Sequence, residues 1–117
     1  MRRQVACWYA EALQPVTLRV RPPTELPGYH HVYHQYVIRS QVRDQLKQVL
    51  STEGIGTQVY YPSTLPSQPA LAPFLASGIH CPNADTATRE LLALPVYPEL
   101  TRSTIERICE MIIRSSR

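Results

Sequence analysis

Four histidines, three cysteines and one lysine are the side chains that could bind a metal ion or form a covalent intermediate. His30, His31 and His34 lie close together in a run rich in β-branched and aromatic residues. In a strand, His31 and His34 would lie on opposite faces. His30 and His34 would share a face at a separation of about 13 Å, which is too far for one ion. We therefore predict no metal site and expect these histidines to be surface or interface residues.

Lys47 is the only lysine and lies in a predicted helix, beside its apolar stripe rather than within it. A lysine that forms a Schiff base must lose its proton, which requires desolvation or a nearby cation. A lysine on a helix surface has neither. The chain also contains no G-x-S-x-G motif and no Gly-rich phosphate loop. We therefore predict no catalytic residue and no cofactor-binding residue in this chain.

Cysteine content and charge exclude several other classes of function. Cys7, Cys81 and Cys109 are an odd number without C-x-x-C spacing, which predicts three reduced, buried or half-buried thiols in a cytoplasmic protein. The net charge of +3 comes from scattered arginines, which is too little for a nucleic-acid footprint. No apolar run reaches transmembrane length. We expect neither nucleic acid nor a membrane as a partner.

The apolar pattern of the 117 residues predicts one α+β domain over residues 1–117, with a small sheet of three or four short strands and helices packed on it. The predicted helices cover residues 1–14, 41–54 and 84–92 and a segment starting after Thr101, with a helical turn at 71–76. The predicted strands cover residues 16–20, 31–40 and 57–61, and residues 92–98 form a short extended segment.

Local signals predict helix ends and the faces of the longest strand. Ser40 and Thr101 are predicted N-caps, and Gly54 is a predicted left-handed C-cap. The last helix has an apolar stripe of Ile105, Ile108 and either Met111 or Ile112. Alternation along 31–40 assigns one face to Val32, His34, Tyr36 and Ile38, and the other to His31, Tyr33, Gln35, Val37 and Arg39.

Five motifs occur in one order between His31 and Thr101. They are H-x-Y-H-x-Y-V-I-R from His31, R-D-x-L from Arg43, G-I-G-T-x-x-x-Y-P from Gly54, Q-P-A from Gln68 and L-x-L-P-x-Y-P-E-L-T from Leu92. In this order and spacing they resemble the C-terminal segment of the DegT/StrS-type sugar-nucleotide aminotransferases.

The resemblance implies a pyridoxal-phosphate enzyme of the aspartate-aminotransferase fold, fold type I. Such enzymes are homodimers that move an amino group, commonly from glutamate, onto a keto-sugar linked to a nucleotide. A large N-terminal domain carries the Schiff-base lysine and the cofactor-binding groups, and a small C-terminal domain closes one side of the site. This chain resembles only the small domain, with residues 1–14 as the helix that would link it to the missing large domain.

The same resemblance implies four substrate-facing residues: Tyr60, Tyr61, Gln68 and His34. Family members commonly have histidine at the position of Tyr60 and often at that of Pro66. Tyr60 can still donate and accept a hydrogen bond, whereas Pro66 cannot do so with its side chain or its nitrogen. One polar contact used by family members is therefore expected to be absent.

Without the large domain, we expect Val5, Trp8 and Tyr9 on the first helix to be exposed, which favours self-association. Three hypotheses follow. The chain is a fragment of a sugar aminotransferase that aminates a nucleotide-linked keto-sugar, as in polysaccharide biosynthesis, and is inactive alone. It is instead a stand-alone, non-catalytic α+β module that binds a partner, such as a homologous subunit. Or it is an unrelated binding domain whose resemblance misleads.

Overall fold

The fold was analysed in a computed structural model that describes residues 1–75 and 79–116. The helices are α1 (Arg2–Leu13), α2 (Arg43–Thr52), α3 (Pro82–Glu90) and α4 (Arg102–Ser115). The strands are β1 (Val20–Arg21), β2 (Tyr36–Ser40) and β3 (Leu91–Leu94), and short 3-10 turns cover Gln14–Val16, Leu65–Ser67 and Ala72–Phe74. This arrangement confirms the predicted α+β fold with a small sheet.

The three strands form one antiparallel sheet in the order β1-β2-β3. Tyr36 pairs with Leu94 and Ile38 with Leu92, so these four side chains share the buried face. Helices α1, α4 and α2 pack together over that face. The other face, which carries Val37, is only partly covered.

Helix ends follow the local signals in most places. Thr101 caps α4, since its Oγ1 accepts a hydrogen bond from the Thr104 N–H. Gly54 has a φ of 73° directly after α2, as a left-handed C-cap requires. The prediction for Ser40 was wrong by two residues, because Ser40 ends β2 and its Oγ accepts from the Val42 N–H instead. Of the alternatives in the α4 stripe, Ile112 is the buried one.

The strand boundaries differ more from the predictions. Residues 57–61 form no strand; only Gln58 pairs, in an isolated bridge with Ala93. The third strand is β3, which was predicted as the end of a helix and the start of an extended segment. Residues 16–20 contribute only Val20 to a strand, because Pro15 starts a 3-10 turn there. The predicted turn at 71–76 is present at Ala72–Phe74, and its last residue lies outside the described residues.

Strand β2 begins at Tyr36 rather than at residue 31. Tyr33 has a φ of 47°, which interrupts the extended backbone and changes the side on which the preceding residues lie. Tyr36 and Ile38 are buried together as predicted, but Val32 and His34 are exposed and Tyr33 is buried instead.

The prediction of an exposed apolar face on α1 was wrong. Val5 and Tyr9 are 1% and 0% exposed, because α1 packs on α4 inside the chain's own core, and Trp8 is half-buried. The prediction for the cysteines was also partly wrong, since Cys109 is buried while Cys7 and Cys81 are exposed. Within the described residues, no helix combines the length and the apolarity needed to cross a membrane.

Candidate functional site

His34 and Tyr60 line one shallow groove of about 360 Å³ on the sheet. The segment carrying Tyr60 is held there by the Gln58–Ala93 bridge, with N···O distances of 3.1 and 2.8 Å in its two hydrogen bonds. Tyr60 is 50% exposed, so its phenol can contact a ligand in solution. The structure thus brings together two of the four predicted site residues, although they are 26 positions apart in the sequence.

A second groove, of about 440 Å³, adjoins the first because His34 lines both. It also contains His30, His31 and Val37. His31 has a structural role, because its Nδ1 accepts the Tyr33 N–H at 2.9 Å and its ring lies 4.3 Å from that of Tyr33. Among the described residues, no group of three or more His, Cys, Asp or Glu side chains is arranged to hold a metal ion.

The loop that contains His31 is held to α1 by an ion pair. Arg3 donates to both carboxylate oxygens of Glu25, at 2.8 and 3.0 Å, and to the His31 carbonyl at 2.7 Å. Glu25 also accepts the His31 N–H at 2.9 Å. The hydrogen bonds from Arg3 and from the His31 backbone lower the pKa of Glu25 to about 2. One wall of this second groove is therefore fixed to α1, which packs in the core.

Gln68 and Tyr61 lie outside both grooves. The Gln68 Nε2 donates to the Ser63 Oγ at 2.7 Å, within the loop that follows Tyr60. Tyr61 is 73% exposed. The four residues therefore divide into a pair that shares a groove and a pair on the loop surface.

Beneath that loop is a third, polar cavity of about 510 Å³ against α3. Thr64, which is 8% exposed, donates from Oγ1 to Asp85 Oδ1 at 2.9 Å. His80 Nε2 lies 3.8 Å from the other oxygen of Asp85. Sequence reasoning missed Thr64 and Asp85, because neither belongs to a motif with known chemistry. Two sequence features were available as signals. Thr64 is a hydroxyl residue between two prolines, and Asp85 is an acidic residue in the first turn of α3.

Lys47 lies on the exposed side of α2 and lines none of these three cavities. A Schiff-base lysine needs a pocket beside it that holds the cofactor, and Lys47 faces none of these three. Among the described residues, the surroundings of Lys47 therefore do not fit such a cofactor.

The chain belongs to the DegT/DnrJ/EryC1/StrS aminotransferase family, whose model matches residues 1–113. It is 40% identical over 114 residues to the UDP-N-acetyl-3-dehydro-alpha-D-glucosamine 3-aminotransferase of Acidithiobacillus ferrooxidans, covering 97% of this chain. It is 33% identical over 109 residues to the UDP-2-acetamido-2-deoxy-3-oxo-D-glucuronate aminotransferase of Pseudomonas aeruginosa, covering 93% of this chain. It covers 30% and 29% of these relatives, so the chain spans about a third of their length.

Solved structures of the family share the fold. A family aminotransferase from Brucella abortus superposes with a TM-score of 0.86 at 30% identity, and DesV from S. venezuelae with a TM-score of 0.88 at 27% identity. The match covers 98% and 99% of this chain but only 30% and 31% of those chains. The hypothesis of an unrelated binding domain is therefore wrong.

Proposed function

We propose that this chain is the C-terminal part of a pyridoxal-phosphate-dependent aminotransferase that aminates a nucleotide-linked keto-sugar. The observation that carries the proposal is the family match over residues 1–113 in a chain whose only lysine is exposed on α2. The lysine and the cofactor site would come from the large domain, which α1 would follow. Two of the relatives are named for UDP-linked 3-oxo sugars, which makes these the first substrates to test.

In this proposal, the groove of His34 and Tyr60 forms one wall of the sugar-nucleotide site. Both side chains can donate and accept hydrogen bonds, which suits hydroxyl and phosphate groups. Tyr61 and Gln68 face the same ligand from the loop surface. The position often occupied by histidine in the family is Pro66 here, so the site has one polar partner fewer. A cytoplasmic location remains a prediction.

A chimera tests the proposal. The A. ferrooxidans relative, with its matching 30% replaced by this chain, is expected to bind pyridoxal phosphate and to aminate UDP-N-acetyl-3-dehydro-glucosamine. The matched controls are Lys47→Ala, which should leave the activity intact, and alanine at the relative's own Schiff-base lysine, which should abolish it. A folded, cofactor-loaded chimera without activity would contradict the proposal. So would imine absorbance from this chain alone that is lost in Lys47→Ala.

The Tyr60 hydroxyl gives a sharper test in the same chimera. Tyr60→Phe keeps the ring but removes the hydrogen bond, so we expect kcat/KM to fall about tenfold. Tyr97→Phe is the matched control, because Tyr97 is similarly half-exposed and lies outside the groove. Equal kcat/KM values for the two variants would remove Tyr60 from the site.

The alternative function, a non-catalytic module that binds a partner, is supported by the exposed loops. Tyr29, Tyr61 and Phe74 are each more than 70% exposed, and all lie in the two long connections, 22–35 and 60–75. A large domain or a homologous subunit would cover such side chains. Calorimetric titration of this chain with the large domain of the relative measures binding. Aminotransferase activity of the same mixture then distinguishes a partner that only binds from one that restores activity.

A further inference from the structure

We propose that the Thr64–Asp85 hydrogen bond is a positioning device that holds the loop of residues 60–75 in place. This loop carries Tyr60, Tyr61 and Gln68, three of the four predicted substrate-facing residues. The relevance to substrate rests on the proposed function, whereas the hydrogen bond itself can be tested without any ligand.

The loop has few connections to the rest of the domain. Its 3-10 turns are closed by its own backbone, with Ser67 N–H bonded to the Thr64 carbonyl at 3.1 Å and Leu71 N–H to the Gln68 carbonyl at 3.0 Å. In the described part of the chain, the only hydrogen bond from residues 60–75 to another element is the one between Thr64 and Asp85. The loop is therefore internally ordered but attached to α3 at a single polar point.

The number of hydroxyl protons determines which group donates in the hydrogen bonds that join Ser67, Thr64 and Asp85. The Thr64 hydroxyl has one proton, which it donates to the Asp85 carboxylate at 2.9 Å. The Ser67 hydroxyl, also 2.9 Å from Thr64 Oγ1, must then donate to Thr64. The hydrogen bond from Ser67 to Thr64 polarises the one from Thr64 to Asp85. Because the final acceptor is a carboxylate, the Thr64–Asp85 hydrogen bond is charge-assisted.

Burial makes this bond a strong anchor. Thr64 is more than nine-tenths buried, so water cannot readily replace Asp85 as its acceptor. Asp85 lies in the first turn of α3, where the helix dipole stabilises its negative charge. At the other end of α3, Arg43 donates to the Thr88 and Leu91 carbonyls, both at 3.1 Å. The anchor point is therefore itself held to α2.

Hydrogen exchange of the purified chain, read by mass spectrometry, tests the proposal. Thr64→Val preserves the shape but removes the hydroxyl, and we expect the Ser67, Gln68 and Leu71 amides to exchange about tenfold faster. The amides of β2 and β3 should be unchanged. Thr64→Ser restores the hydroxyl and should restore slow exchange.

Thr86→Val is the matched control, because it makes the same change in α3 at a hydroxyl that donates only within its own helix, to the Pro82 carbonyl at 2.9 Å. It should leave the loop amides unchanged. Should Thr64→Val fail to fold, Ser67→Ala at the exposed end of the network should still accelerate loop exchange about threefold.

Unchanged loop exchange in Thr64→Val, equal acceleration throughout the chain, or no rescue by Thr64→Ser would each overturn the proposal. If Thr64→Val does not fold, unchanged loop exchange in Ser67→Ala overturns it. These outcomes are independent of the chimera. An inactive chimera together with the expected exchange pattern contradicts only the proposed function. An active chimera without the expected change in loop exchange contradicts only the positioning role of the Thr64–Asp85 hydrogen bond.

Discussion

Two buried tyrosines stack on each other, with ring centroids 4.6 Å apart, but differ in what their hydroxyls contact. The Tyr9 hydroxyl donates to the Pro95 carbonyl at 3.0 Å, whereas the Tyr36 hydroxyl has no partner among the described residues. Burial raises the pKa of both phenols, so both stay neutral in the core. An unpaired buried hydroxyl is costly, while a paired one stabilises the fold.

We therefore expect opposite effects from the same substitution. Tyr36→Phe should leave the free energy of unfolding unchanged or raise it by about 1 kcal/mol, and Tyr9→Phe should lower it by about 1 kcal/mol. Urea denaturation of both variants measures the difference. A loss of stability in Tyr36→Phe as large as that in Tyr9→Phe would mean that an ordered water occupies the core beside Tyr36.

Glu25 predicts a pH dependence at the acid end. Its pKa in the folded chain is about 2, below the ordinary value of 4.5, so its bonds to Arg3 and His31 stabilise the fold fully above pH 4.5. This stabilisation is lost as the pH falls from 4.5 through 2. We expect Glu25→Gln to lower the melting temperature at pH 7 and the difference to disappear by about pH 2.

Melting curves of the chain and of Glu25→Gln between pH 2 and 7 measure this difference. Glu110→Gln provides the matched control, since Glu110 forms only an exposed pair with Arg114 at 3.8 Å. A constant difference between the chain and Glu25→Gln over the whole pH range would exclude this role for Glu25.

At the scale of elements, Arg43 explains why α2, α3 and β3 keep their relative positions. Its side chain is only 11% exposed, and it satisfies two carbonyls at the junction between α3 and β3. Arg43→Met keeps the stem but removes both hydrogen bonds to these carbonyls, so we expect a loss of about 2–3 kcal/mol in the free energy of unfolding.

Arg107→Met is the matched control for Arg43, because Arg107 is 65% exposed and pairs with Glu53 at 3.7 Å. It should cost less than about 0.5 kcal/mol. Arg43→Lys should restore only part of the loss, since an ammonium cannot reproduce the planar guanidinium geometry. Guanidinium denaturation of the three variants measures these effects, and equal values for Arg43→Met and Arg107→Met would contradict the role of Arg43.

The elements that could be predicted from the sequence are those with local causes. The cap at Thr101 and the left-handed turn at Gly54 depend on neighbouring residues alone, and both predictions were confirmed. The strands depend on distant partners. Residues 57–61 have strand-forming side chains but pair only at Gln58, while residues 91–94 form a strand because β2 lies beside them.

The same reason limits the prediction of the site. His34 and Tyr60 came from a family resemblance, and their shared groove depends on how β2 and the Gln58 segment lie beside β3. Thr64 and Asp85 meet across 21 positions and carry no motif. Their contact follows from the packing of the loop on α3, which no local pattern encodes.

At the scale of the whole molecule, we now expect self-association to involve the loops rather than α1. Val5 and Tyr9 are buried, whereas the loops carry several exposed apolar side chains, such as Tyr61 and Phe74 at 73% and 83% exposure. We expect the isolated chain to self-associate and Tyr61→Ser/Phe74→Ser to shift it towards monomer. Leu18→Ser is the control, because Leu18 is 98% exposed but lies outside the loops.

Sedimentation velocity over a range of concentrations measures this equilibrium. A monomer at every concentration would contradict the prediction, and an equal shift in Leu18→Ser would contradict the assignment to the loops.

The single lysine, in the middle of a ten-residue helix, also gives the chain one cleavage point for a lysine-specific endoprotease. Proteases need an extended segment, so Lys47 can be cut only when α2 has unwound. Because Leu46 and Leu50 are fully buried, that unwinding also opens the core. Digestion into residues 1–47 and 48–117 therefore counts openings of α2, and does so without any label.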